Sequence, residues 1–91
     1  MANGNKPIKV FRQRGISASV FENHTQDRGE SVRFFKVNLQ RTFKQNDEFK
    51  HNASFGRDDI PVAKLMLDRA WQFILEAEAA SAPRNDPFDG T

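Results

Sequence analysis

The residues best suited to chemistry in this chain are cations and rings set at alternating positions. In SVRFFKVNLQRTFK, residues 31–44, Phe34, Lys36, Asn38, Gln40 and Thr42 recur at every second position, with Phe35, Val37 and Leu39 between them. Period two is the period of a β-strand, so the first set shares one face and the second set the other. GISASVFEN repeats the pattern, placing Ser17, Ser19 and Phe21 opposite Ile16, Ala18 and Val20. FKHNASF is read as giving Lys50, Asn52 and Ser54 to the polar face, and Phe49, Ala53 and Phe55 to the apolar one together with His51. The polar face so assembled carries ammonium groups, amide and hydroxyl donors and two rings, Phe21 and Phe34. Single-stranded nucleic acid calls for this combination, because bases stack on rings while Lys and Arg track the phosphates. Arg12, Arg14, Arg33, Arg41 and Lys44, toward the strand ends, are expected to extend the charge around that surface. A polar outer face is equally what an antiparallel sheet shows to water, and exposed Phe residues also suit a protein partner. A protein-interaction module without nucleic-acid binding is therefore the alternative.

Catalysis is not expected. There is no cysteine, which removes thiol nucleophiles and zinc–thiolate sites, and His24 and His51 stand far apart without a ligand spacing. No phosphate-loop, dinucleotide, zinc-protease or nucleophile-elbow motif occurs, and the five glycines are scattered. Asp58 and Asp59 precede Ile60-Pro61, where carboxylates cap a helix rather than exchange protons. No cofactor or metal is expected.

The elements that must hold the polar face follow from the same pattern. IKVFRQ after Pro7 is a short edge strand, with Gly15 as the break before the next. HTQDRGE suits a loop and QNDE a turn. GRDDIP starts a helix, and PVAKLMLDRAWQFILEAEAA has its periodicity: Ala63, Leu67, Ala70, Ile74 and Ala77 run along one side, and Lys64, Asp68, Gln72 and Glu76 form a polar stripe. The expected fold is α+β, a four-stranded antiparallel sheet followed by one C-terminal helix (ββββα). It occupies residues 8–80 as one domain, between disordered tails at 1–7 and 81–91. The helix carries more apolar surface than one small sheet needs. Part of it, assigned to Met66, Ala70, Trp71, Phe73 and Ile74, is expected to be covered by a second copy in a homodimer. Residues 1–57 hold 11 Lys/Arg against 5 Asp/Glu, and residues 58–91 hold 3 against 7. The sheet half is thus the basic half, which favours an anionic partner for it. No apolar run approaches the roughly 18 residues of a membrane span, and the N-terminus lacks a signal-peptide core, so a soluble, cytoplasmic protein is expected.

The order of strand, strand, long strand, turn, strand and capped helix resembles the positive-cofactor-four family of single-stranded DNA-binding transcriptional coactivators. The resemblance is carried by ISASVFEN, FFKVNLQRTFKQNDEFKH and DDIPVAKLMLDRAWQFI, which together span nearly all of residues 8–77. It implies a dimer formed mainly through the helix, and single-strand binding across a β-surface, DNA more than RNA, in a transcriptional regulator. Arg41, Phe43, Lys44 and Lys50 match the family's basic and aromatic contact positions. The chain departs from the family in HNASFGR, which has fewer cations than the Gly/Lys-rich stretch after the turn, and in MANGNK, which lacks a serine-rich arm.

Overall fold

Three two-residue turns set the topology. In the computed structural model, which describes residues 6–81, they fall at Arg14-Gly15, Arg28-Gly29 and Asn46-Asp47. All six of these residues have positive φ, from 52° at Asn46 to 82° at Gly29. That pattern marks hairpin turns whose twist matches the right-handed twist of the strands they join. Gly15 is required on two counts: its φ is +80°, and a Cβ there would lie 2.9 Å from the Thr42 carbonyl oxygen.

The turns link β1 (Lys9–Gln13), β2 (Ile16–Asp27), β3 (Glu30–Gln45) and β4 (Glu48–Asn52) into an antiparallel sheet of order β1-β2-β3-β4. A short 3₁₀ turn, Arg57–Asp59, leads into the single helix α1 (Ile60–Ser81). The fold is the expected ββββα arrangement. The expected loop over HTQDRGE is instead strand as far as Asp27, which pairs with Glu30 across the tight Arg28-Gly29 turn. Residues 24–27 have no apolar alternation because the tip of this hairpin projects past the core and has no buried face to supply. Of the expected tails at 1–7 and 81–91, residues 1–5 and 82–91 lie outside the described residues, and Ser81 is the last residue of the helix.

Ile16, Ala18 and Val20 of β2 and Ala63, Met66 and Ala70 of α1 form the buried core, with Phe11, Phe35, Val37, Leu39, Phe55, Phe73 and Ile74 packed around it. Register explains the grouping, since Ala18 pairs with Leu39 and Val20 with Val37 while Phe11 faces Ala18 from β1. Ala63 and Ala70 let the helix backbone approach the sheet, and Met66 fills the gap between them. Phe11 meets Phe73 edge to face, with ring centroids 6.2 Å apart. Leu67, expected on the core side, instead faces away and is exposed. Asp59 fills the capping role: its carboxylate accepts the Gly56 N–H at 2.9 Å, while its own N–H donates to the Gly56 carbonyl at 3.0 Å.

The helix packs on β1, β2 and β3. At its start, Arg41 donates to the Ser54 carbonyl at 3.1 Å and lies 4.0 Å from Asp59. Near its end, Arg33 donates to the Ala77 carbonyl at 3.2 Å, approaches Glu22 at 3.5 Å and stacks over Phe35 at 5.0 Å. Arg33 ties the C-terminal part of the helix to β3, Arg41 ties to β3 the segment that leads into the helix, and a cation near a helix C-terminus is favourably placed.

Candidate functional site

Because the core takes Ile16, Ala18, Val20, Phe35, Val37 and Leu39, alternation sends their neighbours to the opposite, uncovered face. Cross-strand pairing then fixes who stands beside whom. Arg12 pairs with Ser17 and Ser17 with Gln40; Ser19 pairs with Asn38, Phe21 with Lys36 and Asn23 with Phe34. Continuing along β3, Thr42 pairs with His51 and Lys44 with Phe49. Arg12, Phe21, Phe34, Lys36, Asn38, Gln40 and Lys44 are thus brought onto one surface, with Arg14 at the adjoining β1–β2 turn. The Lys36 ammonium lies 5.9 Å from the Phe34 ring centre, within cation–π range. Ser17 is nearly buried despite facing outward, since it is short and stands between two longer partners, Arg12 and Gln40.

Five residues expected to join this surface do not. Arg33 and Arg41 point to the helix side, where they hold α1 as described. Phe43, Lys50 and Asn52 also lie on that side, because Phe43 pairs with Lys50 and Arg41 with Asn52. The reason is the turn: two residues at Asn46-Asp47 set Gln45 opposite Glu48, which puts Phe49 and His51 on the outer face and Lys50 and Asn52 on the reverse. Phe49 is accordingly 72% exposed rather than in the apolar set. His51 is likewise exposed: the Thr42 hydroxyl lies 2.8 Å from its Nδ1, and the Gln40 amide donates to the same nitrogen at 3.4 Å. Phe43 and Lys50, with the Arg41 guanidinium 4.9 Å from the Phe43 ring, form a second basic and aromatic patch on the reverse of the β3–β4 hairpin.

The proposed dimer residues are corrected in the same way. Met66 and Ala70 are fully buried against the sheet and so belong inside one chain, while Phe73 and Ile74 pack on the core but stay partly exposed. Trp71 remains, 58% exposed, in a row with Leu67 and Leu75 at four-residue spacing, with Leu65 and Ile60 nearby on the helix. An open groove of about 630 Å³ lined by Pro61, Lys64, Leu65, Leu67 and Asp68 runs beside the first half of that row.

Three further outer-face residues, Asn23, Phe49 and His51, lie beyond the candidates that the sequence offers. The period-two pattern of β2 carries Asn23, and the length of the Asn46-Asp47 turn carries Phe49 and His51.

The charge distribution sharpens the contrast between faces. Among the described outer-face residues other than those at the β2–β3 hairpin tip, there are three cations, Arg12, Lys36 and Lys44, and no carboxylate. Asp27 and Glu30 share that face only at the projecting hairpin tip. Glu22 and Glu48 fall on the helix side, as the register of β2 and β4 requires. No three His, Cys, Asp or Glu side chains among the described residues come together to hold a metal ion. No helix among them is long and apolar enough to cross a membrane. Comparison with protein-family models, characterised proteins and solved structures finds no match to this chain.

Proposed function

We propose that this protein binds single-stranded nucleic acid, DNA in preference to RNA, along the outer face of its sheet, as a non-enzymatic regulator of transcription. The observation that carries the reading is the composition of that face: three cations, rings at Phe21, Phe34 and Phe49, and amides between them, with carboxylates only at its far tip. A solvated face with no binding role has no need of exposed rings, and it ordinarily mixes charges of both signs. The rings offer stacking surfaces and the cations phosphate contacts. The patch of Phe43 and Lys50 lies around the hairpin edge, where it can continue the path of a longer strand but cannot share a nucleotide with Lys36.

The second copy in a homodimer is the proposed occupant of the helix row. In an isologous pair each residue meets its counterpart's partner, so a knob and a groove on the same face suffice. Trp71 is such a knob, and the groove at Lys64, Leu65, Leu67 and Asp68 lies about one turn earlier on the same helix. Antiparallel packing of two helices centred near Asp68 would seat each Trp71 in the other's groove. Backbone amide shifts on addition of a thymidine oligomer would test the binding surface. The expected result is perturbation of Ser19–Asn23 and Phe34–Lys44; shifts confined to the exposed helix row would overturn the reading.

A further inference from the structure

His51 stands exposed on the outer face opposite Thr42, with Gln40 and Lys44 on the two diagonals. The Thr42 N–H donates to the Gly15 carbonyl at 2.7 Å, which brings Arg14 of the β1–β2 turn to the same end of the face. Among the described residues no strand lies beyond β4, the helix packs on the opposite side, and Glu48 and Lys50 of β4 itself lie on the reverse. The charged groups on the ring's side are therefore cations, with no carboxylate beside it.

One ring nitrogen is committed and the other is free. The Gln40 amide nitrogen is a donor, so the Nδ1 that it meets at 3.4 Å is the acceptor of the neutral imidazole, and the proton sits on Nε2. Nε2 has no partner among the described residues. The Thr42 hydroxyl, 2.8 Å from Nδ1, can accept as well as donate, so a second proton on the ring keeps that bond while the Gln40 amide needs only to turn over.

Resting on the single-strand reading above, we propose that His51 is a further phosphate-binding residue of the outer face, engaged in its protonated form, so that strand and proton are bound together. A neutral imidazole offers a phosphate one N–H, whereas an imidazolium offers a charge-assisted hydrogen bond. The surroundings of His51 supply no anion to hold that charge, and the strand does. His24 is the contrasting case: its Nε2 already lies 3.4 Å from the Glu22 carboxylate, on the helix side of the sheet and off the path of the strand. Because the complex holds the charged form more tightly, affinity is greatest at low pH and falls as pH rises through the histidine range.

The test is fluorescence anisotropy with a labelled thymidine oligomer, whose bases keep one charge state over the range, at about pH 5.5 and about pH 8. The wild type should bind about tenfold more tightly at the lower pH, as one opposite charge at close range provides, and its log–log salt slope should steepen there by roughly 0.7. His51→Gln should bind nearly equally at both pH values. His51→Lys should also bind nearly equally at both, with the steeper slope throughout, and His24→Gln should keep the wild-type response. Wild-type binding indifferent to pH would overturn the phosphate role of His51 and leave the single-strand reading standing. A pH response that survives His51→Gln would also overturn it, by placing the proton elsewhere. Failure of the oligomer to bind at either pH would remove this role and the single-strand reading together.

Discussion

Phe34 and Phe35 are adjacent in sequence and face opposite sides of the sheet, so truncating each should have a different consequence. Phe34 pairs with Asn23 on the outer face, is more than a third exposed, and has Lys36 over its ring. Phe34→Ala removes a stacking platform together with the outer-face surface that this 37% exposed ring covers. Single-strand binding should weaken by about 1–3 kcal/mol, roughly 5- to 150-fold in Kd, while the melting temperature falls less than for Phe35→Ala, which takes its ring from the core. Phe35 packs against the core beneath Arg33 and is only partly buried, so Phe35→Ala should cost about 2 kcal/mol, roughly half the value for a fully buried ring. In a domain of this size that loss lowers the melting temperature by about 8–16 °C. Circular-dichroism melts and anisotropy titrations on both variants read the two effects separately. If Phe34→Ala unfolds the protein while Phe35→Ala only weakens binding, β3 is out of register by one residue and the faces are exchanged. If both variants fold and neither alters affinity, the outer-face ring does not stack on a base.

Three other outcomes follow from particular residues. Gly15→Ala should destabilise by more than about 2 kcal/mol, because it adds backbone strain to a contact with the Thr42 carbonyl, whereas Gly29→Ala, open on all sides, should cost only about 1 kcal/mol; chemical denaturation compares them. Sedimentation should give about twice the 10.4 kDa chain mass for the wild type and a monomer for Trp71→Asp, with the fold intact; a wild-type monomer would rule out the helix-row dimer. Lys36→Ala should lower the salt dependence of single-strand binding by roughly 0.7 in log–log slope, while Lys50→Ala, on the reverse of the sheet, should change it less for a short oligomer.

Most of the architecture was legible because β2, β3 and α1 bury one face each, and burial imposes a period that composition cannot hide. Ile16, Ala18 and Val20 and their partners on β3 gave the core side of the sheet at once. The phase of β4 was not legible from periodicity, because this strand extends beyond the footprint of the helix and no core selects which of its residues is apolar. Hydrophobicity alone puts Phe49 inward, yet the two-residue Asn46-Asp47 turn dictates the opposite. Lys50 and Asn52 left the outer face for the same reason, and His51 entered it. On the helix, the rows containing Met66 and Leu67 are both apolar, so the pattern could not say which packs on the sheet. The small residues Ala63 and Ala70 decide it by admitting the helix backbone, and Leu67 and Trp71 are left outside. Arg33 and Arg41 show why charge alone misplaces a site: each resembles a phosphate contact in sequence, yet Arg33 is occupied with the C-terminal part of the helix and Arg41 with the segment that leads into it.

The most direct test of the account is a titration of the full chain with labelled thymidine oligomer, a matched duplex and a uridine oligomer over a series of salt concentrations. Binding of the single strand should exceed that of the duplex. Its log–log salt slope should be about −2 per chain, from roughly 0.7 for each of Arg12, Lys36 and Lys44. Binding that is indifferent to salt, or that favours duplex over single strand, would contradict the assignment of the outer sheet face to single-stranded nucleic acid.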